Sequence, residues 1–409
     1  MKRALKRGQL TIHHPDGAES VIGTPDPDLR PITVRFADWA SEHAILRDPD
    51  LGAGEAFMDG RMIVDGDDIA GLLDLLFANN RHEARANVLV PSAVGKLGRV
   101  AKFSVQRVNR ARGAKRNVAH HYDLSDRLYS LFLDTDRQYS CAYFTNPANP
   151  LEQAQTDKKA HIAAKLALRP GMRVLDIGCG WGGMALYLHR HYGVDVTGVT
   201  LSEEQLAVAR RRAAEAGVAD HVRFELIDYR EVGGRWDRIV SVGMFEHVGQ
   251  PQFETFFAKC RSLLTDDGVM LLHTIGRMGP PGVTDAFTAK YIFPGGYIPA
   301  LSETMAAVEP LRFPVTDVEV LRLHYGYTLE HWYERTRAAR EQVIALYDER
   351  FYRMWVFYLA GAMVNFRHGG LVNYQIQLTR DRHALPITRD YMLEEERRLR
   401  AADATGSDA

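Results

Sequence analysis

Cysteine is scarce in this chain. Of 409 residues only Cys141, Cys179 and Cys260 are cysteine, an odd number with no CxxC and no Cys/His metal spacing. That excludes a disulfide framework and a zinc module, and it fits a reduced, cytoplasmic protein. Long apolar runs are missing as well. No stretch approaches the ~18 residues of a membrane span, although 46% of the residues are hydrophobic, enough for a sizeable core. An excess of one charge sign is also absent: Lys and Arg number 51 against 52 Asp and Glu, for a formal net charge of −1. No global field therefore favours nucleic acid, and an electrostatic partner must meet a local patch. The basic start MKRALKRGQL runs into TIHHPDGAES without the apolar region of a signal peptide. The expectation is a soluble protein, or one that at most sits on a surface.

Four stretches can be told apart. Residues 1–95 mix short alternating segments (QLTI, PITVRF) with turn signals (PDG, PDPD, FMDGRM). The run DDIAGLLDLLFANN follows, with Leu72, Leu73, Leu75 and Leu76 giving a helical apolar face; together these read as a small α+β domain. Residues 96–118 form a basic linker with eight Lys or Arg and no acid between Lys96 and Arg116. It reads either as a solvated linker helix or as a segment that meets anionic lipid, where each charge is worth roughly 1 kcal/mol. RNA suits it poorly, because no aromatic platform accompanies the charge. Residues 119–400 read as the catalytic domain, in which helix and strand alternate from about residue 155: HIAAKLAL, MRVLDIG, GMALYLHRHYG, VDVTGVT, SEEQLAVARRRAAEAG, VRFELID, WDRIVSV, GVMLLHTI. That is βαβ alternation, hence a doubly wound parallel sheet with helices on both faces. Ser202 and Gln205 have capping-box spacing at the start of one helix. The tail 401–409, AADATGSDA, reads as disordered.

VLDIGCGWGG sets Gly178, Gly180 and Gly183 in GxGxxG register between a strand and a helix, which allows a tight turn and close approach of a ligand. NAD enzymes share this spacing, so other features must decide. Asp176 lies two residues before the first glycine, where it can reach a ligand amine or brace the loop. The second strand ends in Thr200-Leu201-Ser202 and lacks the acid that a dinucleotide ribose wants. The third ends in Asp228-Tyr229, an acceptor beside an aromatic that suits adenine. These features favour S-adenosylmethionine over NAD.

HHYDLSDRLYSLFLDTDRQYSCAYF, VLDIGCGWGG, GVTLSEEQ, MFEHVG, KYIFPGGYIPALSE and HYGYTLEHW follow one another in this order. In these blocks the sequence resembles the cyclopropane-fatty-acyl-phospholipid synthases and the related mycolic acid cyclopropane synthases, over roughly residues 119 to 380. The amino-terminal part resembles the extra domain of the phospholipid enzymes. The resemblance implies an α/β fold of the class I S-adenosylmethionine-dependent methyltransferase type. It also implies methyl transfer to a cis double bond of an unsaturated phospholipid acyl chain, and ring closure by a bound bicarbonate ion. An alkene is a poor nucleophile, so positioning in a dry pocket must carry much of the barrier.

Carried over residue by residue, the resemblance assigns the anion to Glu246, His273 and Tyr325 through side chains and to Cys141 and Ile275 through backbone N–H groups. The Y-x-x-T-L spacing to Thr328 and Leu329 selects Tyr325 over Tyr327. It assigns the cofactor to Tyr139, Ser140, Gly178, Gly180, Thr200, Leu201, Gln205, Tyr229 and Arg230, beside Asp176. Where the family often has tryptophan this chain has Tyr229, and HYDLSDRLY departs from the commoner HYDxGN. Cys141 lacks an electropositive setting and reads as a backbone donor, not a nucleophile. His247 is expected to point into structure. His120 and His121 have no second cluster to complete a metal site, so no metal is expected. The implied setting is cytoplasmic, peripheral to the anionic inner face of the membrane, with the protein a homodimer. Three other readings stay open: a methyltransferase that leaves a methyl branch, a non-catalytic lipid-binding protein, and an NAD-dependent oxidoreductase.

Overall fold

The computed structural model describes residues 5–83 and 126–406. The basic stretch from Lys96 to Arg116, with His120 and His121, lies outside the described residues. The described chain falls into two compact units. The first takes its part of Met1–Ser104 together with Val283–Pro294 and Gly326–Leu371; the second takes its part of Val105–Gly282 with Gly295–Tyr325 and Val372–Ala409.

The first unit opens with β1 (Gly8–His13), β2 (Glu19–Thr24) and β3 (Ile32–Phe36). Alternation places Leu10, Ile12, Ile32 and Val34 on the buried face, as a half-buried strand requires. Helices α1 (Trp39–Arg47) and α2 (Pro49–Met58), strand β4 (Met62–Val64) and α3 (Ile69–Ala78) follow. The strand order is β2-β1-β3-β4. Asp38, Asp48 and Asp68 each cap one helix by accepting the backbone N–H three residues on, and each such cap is worth about 1 kcal/mol. Leu72, Leu73 and Leu75 of α3 are buried.

The second unit contains α4 (Asp126–Phe132), α5 (Leu151–Leu166), β5 (Arg173–Ile177), α6 (Gly183–Tyr192), β6 (Asp195–Thr200), α7 (Glu203–Glu215), β7 (Val222–Leu226), β8 (Trp236–Val242), α8 (Phe253–Leu263), β9 (Leu264–Arg277), α9 (Leu301–Val308) and β10 (Val315–Leu321). Helices α10 (His324–Ala338), α11 (Arg340–Leu346) and α12 (Glu349–Arg367) then belong to the first unit from Gly326 on. Strand β11 (Leu371–Thr379) and helix α13 (Asp390–Thr405) close the chain.

The seven-stranded order is β10-β11-β9-β8-β5-β6-β7. Strands β5, β6, β7, β8 and β9 pair in parallel, and β10 runs antiparallel to β11. This is the class I methyltransferase order, with the chain reversing direction across the sheet at β5, where such folds place their ligands. Alternation along the strands sends Val174, Val240 and Leu271 to one core and Leu175, Ile239 and Leu272 to the other. Helix α13 corrects one expectation. It runs to Thr405, through the start of the tail expected to be disordered, because Ala402 is buried and Asp403 accepts from the Tyr187 hydroxyl at 2.8 Å. Among the described residues no helix is long and apolar enough to cross a membrane.

Candidate active site

The glycine loop leaves β5 and enters α6. Gly178 sits at φ +85°, and a Cβ there would come within 2.7 Å of the Met244 Cβ. The Gly178 and Cys179 N–H groups donate to the Val199 carbonyl at 2.9 and 3.1 Å, which draws the loop onto the end of β6. A cavity with about 1170 Å³ of empty space, its mouth included, opens over these strand ends. All ten residues expected to hold the cofactor line it: Tyr139, Ser140, Asp176, Gly178, Gly180, Thr200, Leu201, Gln205, Tyr229 and Arg230.

Local chemistry explains their positions. Ser202 caps α7 by accepting the Gln205 N–H at 3.3 Å, and the Thr200 hydroxyl donates to Gln205 Oε1 at 3.1 Å. Asp228 is taken by Arg230, which forks onto its two oxygens at 2.8 and 2.5 Å; the pair forms one rigid wall element, and Asp228 is less free an acceptor than the sequence suggested. Asp176 is buried, its Oδ2 has no partner among the described residues, and burial outweighs the nearby Lys158 to push its carboxyl up to about 7. Such an oxygen suits a cationic ligand group. His247, expected to point into structure, lines the cavity instead, with burial holding its imidazole down to about 4.

None of the five residues assigned to the anion lines this cavity, but two of them adjoin it along the chain, Cys141 beside Ser140 and Glu246 beside His247. Glu246 lies on a short turn after β8, and His273 pairs with Val242 in the β8–β9 register. The Ile275 N–H donates to Glu246 Oε1 at 2.6 Å, so this amide, expected to face an anion, orients the carboxylate. Glu246 Oε2 and His273 Nε2 are buried without hydrogen-bond partners among the described residues. Burial pushes Glu246 up to about 7 against the pull of the Ile275 N–H, and holds His273 well below its usual range, hence neutral. The Gln375 amide nitrogen sits 3.1 Å from His273 Nδ1. As a donor, it leaves the ring proton on Nε2. The Cys141 thiol is buried and pushed well up by burial, which removes it as a nucleophile; its N–H has no acceptor among the described residues. Tyr325 is buried at the start of α10 and belongs to the same unit as the other four, whereas Tyr327 is half-buried and does not.

Sequence reasoning passed over the face that supports this site. Gln155, Lys158, His161 and Lys165 of α5 are all buried. The Tyr143 ring lies between His161, at 4.0 Å, and His324, at 4.9 Å, in near-parallel stacks. The Phe144 N–H donates to His324 Nδ1 at 2.9 Å, which ties the Cys141 loop to the residue before Tyr325. The 155-158-161-165 spacing is a polar helical stripe, and the sequence around it, itself rich in polar residues, gives no signal that this stripe turns inward.

The mycolic acid cyclopropane synthetase family model matches residues 109–376. The chain belongs to this family. It is 39% identical over 361 residues to the Escherichia coli K12 cyclopropane-fatty-acyl-phospholipid synthase, covering 88% of this chain and 90% of that one. To a probable fatty acid methyltransferase of Pseudomonas putida it is 41% identical over 287 residues, 67% of this chain and 73% of the relative. The crystal structure of the mycolic acid cyclopropane synthase CmaA1 complexed with SAH and CTAB matches at a TM-score of 0.62 and 36% identity, over 65% of this chain and 98% of that one. The protein is an S-adenosylmethionine-dependent methyltransferase enzyme of this family.

Proposed function

We propose that this protein converts cis double bonds of unsaturated phospholipid acyl chains to cyclopropane rings, with S-adenosylmethionine as the carbon source. The carrying observation is a pair of buried polar atoms with no hydrogen-bond partner among the described residues, Glu246 Oε2 on the turn after β8 and His273 Nε2 within the adjacent parallel strand β9.

S-adenosylmethionine, when bound, supplies an electrophilic methyl on a sulfonium. Asp176 would hold the positive end of that ligand, and the Tyr139 and Tyr229 rings wall the cavity. Exclusion of water and fixed orientation supply the acceleration that a weak alkene nucleophile cannot. Beside the cavity, the residues fit a small anion held by neutral donors: the His273 Nε2–H and the Cys141 N–H donate, with Tyr325 as a third group. Bicarbonate, if bound there, would supply a base for the proton lost when the ring closes. Glu246, whose carboxyl burial raises to about 7, is oriented by the Ile275 N–H and would carry the proton onward. The phospholipid substrate is supported by the similarity to the Escherichia coli relative over most of both chains. The reading extends to the anionic inner face of the membrane as the place of action, and to a homodimer.

The test is to incubate the protein with S-adenosylmethionine, bicarbonate and vesicles of cis-unsaturated phospholipid, then record the proton NMR of the extracted lipid. Upfield ring-methylene signals in place of vinyl protons are expected. A branched methyl signal would move the assignment to a branching methyltransferase, a reading the Pseudomonas putida relative's name favours; unchanged lipid would overturn both. Glu246→Gln is expected to bind SAH normally and to lose roughly 10²–10⁴-fold in rate.

A further inference from the structure

Lys158, on α5, is fully buried. Its ammonium donates to Gln138 Oε1 at 2.6 Å and to Ser140 Oγ at 2.9 Å. Both acceptors are neutral, and among the described residues no carboxylate forms an ion pair with it. Asp157, beside it in sequence, accepts from Thr145 and Gln153, and the acids whose charge it feels are committed elsewhere. Asp134 accepts the N–H groups of Asp136 and Gln138, and Asp136 is held by Lys159 and Arg212. Asp176 feels the Lys158 charge, yet its Oδ2 has no partner. A buried ammonium without a counter-charge is costly, and folded proteins keep one where something compensates.

The neighbouring groups define where the compensation binds. Gln155, one turn earlier on α5, donates to the Ser140 and Gln138 carbonyls at 3.0 and 3.2 Å. Two side chains thus fix the Gln138–Cys141 segment from behind. Because the Ser140 oxygen accepts from Lys158, its own hydrogen must go to another acceptor. Ser140 lines the cofactor cavity, and the next residue's N–H, on Cys141, has no acceptor among the described residues. The Lys158 charge reaches His273 as well, helping keep that imidazole neutral.

We propose that Lys158 is the positioning residue for a carboxylate-type anion bound against Ser140 and Cys141: it balances the anion's charge and turns the Ser140 hydroxyl into a donor toward it. This inference rests on the function proposed above. Two sources share the chemistry, the methionine carboxylate of the cosubstrate and free bicarbonate.

The experiment uses the full chain and the variants Lys158→Met and Lys158→Gln. SAH and its decarboxylated analogue are titrated by calorimetry, and binding of [13C]bicarbonate is followed by NMR line broadening. Loss of a charge-assisted contact is expected to weaken the anion roughly 10- to 100-fold. If SAH weakens while the decarboxylated analogue is unaffected, the anion is the methionine carboxylate. If SAH is unaffected and bicarbonate broadening is lost, it is bicarbonate. Lys158→Gln retains a donor for Ser140 and decides the matter if Lys158→Met does not fold. Unaltered binding of both anions in a folded variant overturns the role of Lys158 alone. Wild-type protein that binds neither SAH nor bicarbonate overturns the functional reading together with it.

Discussion

Helices α5 and α7 carry similar numbers of charges and treat them in opposite ways. In α7, Glu203, Glu204, Arg210, Arg211 and Glu215 are exposed, while Leu206, Val208, Ala209 and Ala213 face the core. In α5 the core takes the charges too: Asp157, Lys158, Lys159, His161 and Lys165 are all buried. The first is an ordinary amphipathic surface helix. The second is a polar scaffold, with each group held by a named partner: Lys159 by Asp136 at 2.6 Å, His161 by Glu319 and Glu396 at 2.8 and 3.0 Å, Lys165 by Glu319. The same residue types are thus solvated decoration on one helix and structural parts on the other. Burying them is unfavourable in itself, which a helix sustains where the buried charges orient a site. Here they lie behind Ser140, Cys141 and His273.

The comparison breaks most visibly at Lys165. Lys165→Met removes one member of a buried pair and leaves Glu319 with His161 as its remaining partner. The expected loss of stability is about 3 kcal/mol, at the low end for a broken buried pair because Glu319 keeps some access to water. Urea unfolding measures it; a change below about 1 kcal/mol would place α5 in the same class as α7.

A smaller effect, resolved by pH, comes from Asp176, another polar group that the interior holds. Its carboxyl is raised to about 7 by burial, so the folded state keeps a proton that the unfolded chain, at the ordinary aspartate value, releases. Its contribution to stability is full below the ordinary aspartate range and is lost as pH rises toward about 7. Several buried histidines, held low, push the other way, so the difference between wild type and Asp176→Asn isolates the effect. The variant should gain on wild type by up to about 1.4 kcal/mol per pH unit between pH 5 and 7, and level off above. Unfolding curves with a pH-independent difference would show that Asp176 is ionised in the folded protein.

The same contrast governs what could be read from the chain. Strands β5 to β9 were legible because their apolar runs are local, and Ser202 was legible as a cap because capping is a three-residue event. The cofactor residues lie in short segments at strand ends, and each carries its own signal: a glycine register, an aromatic beside an acid, a missing ribose acid. Lys158, Gln155 and Gln375 carry none, because their roles appear only when a polar face turns inward against other elements. His247 was misjudged for a related reason: a turn of a few residues decides which of two neighbouring side chains meets the cavity. The association of Val283–Pro294 and Gly326–Leu371 with the first unit is equally non-local and has no counterpart in sequence order.

The smallest expected effect is the control on α7. Arg211 Nε lies 3.7 Å from Glu215 Oε1 at i,i+4 spacing, with both side chains more than half exposed. Water screens the pair and ordering two long side chains costs entropy, so Arg211→Ala should change stability by less than about 0.5 kcal/mol, and less still in high salt. Activity and SAH affinity should be unaltered, since nothing on this face touches the cavity. A loss near that of Lys165→Met would mean that exposure is the wrong variable, and that charges on both helices are structural for a reason other than burial.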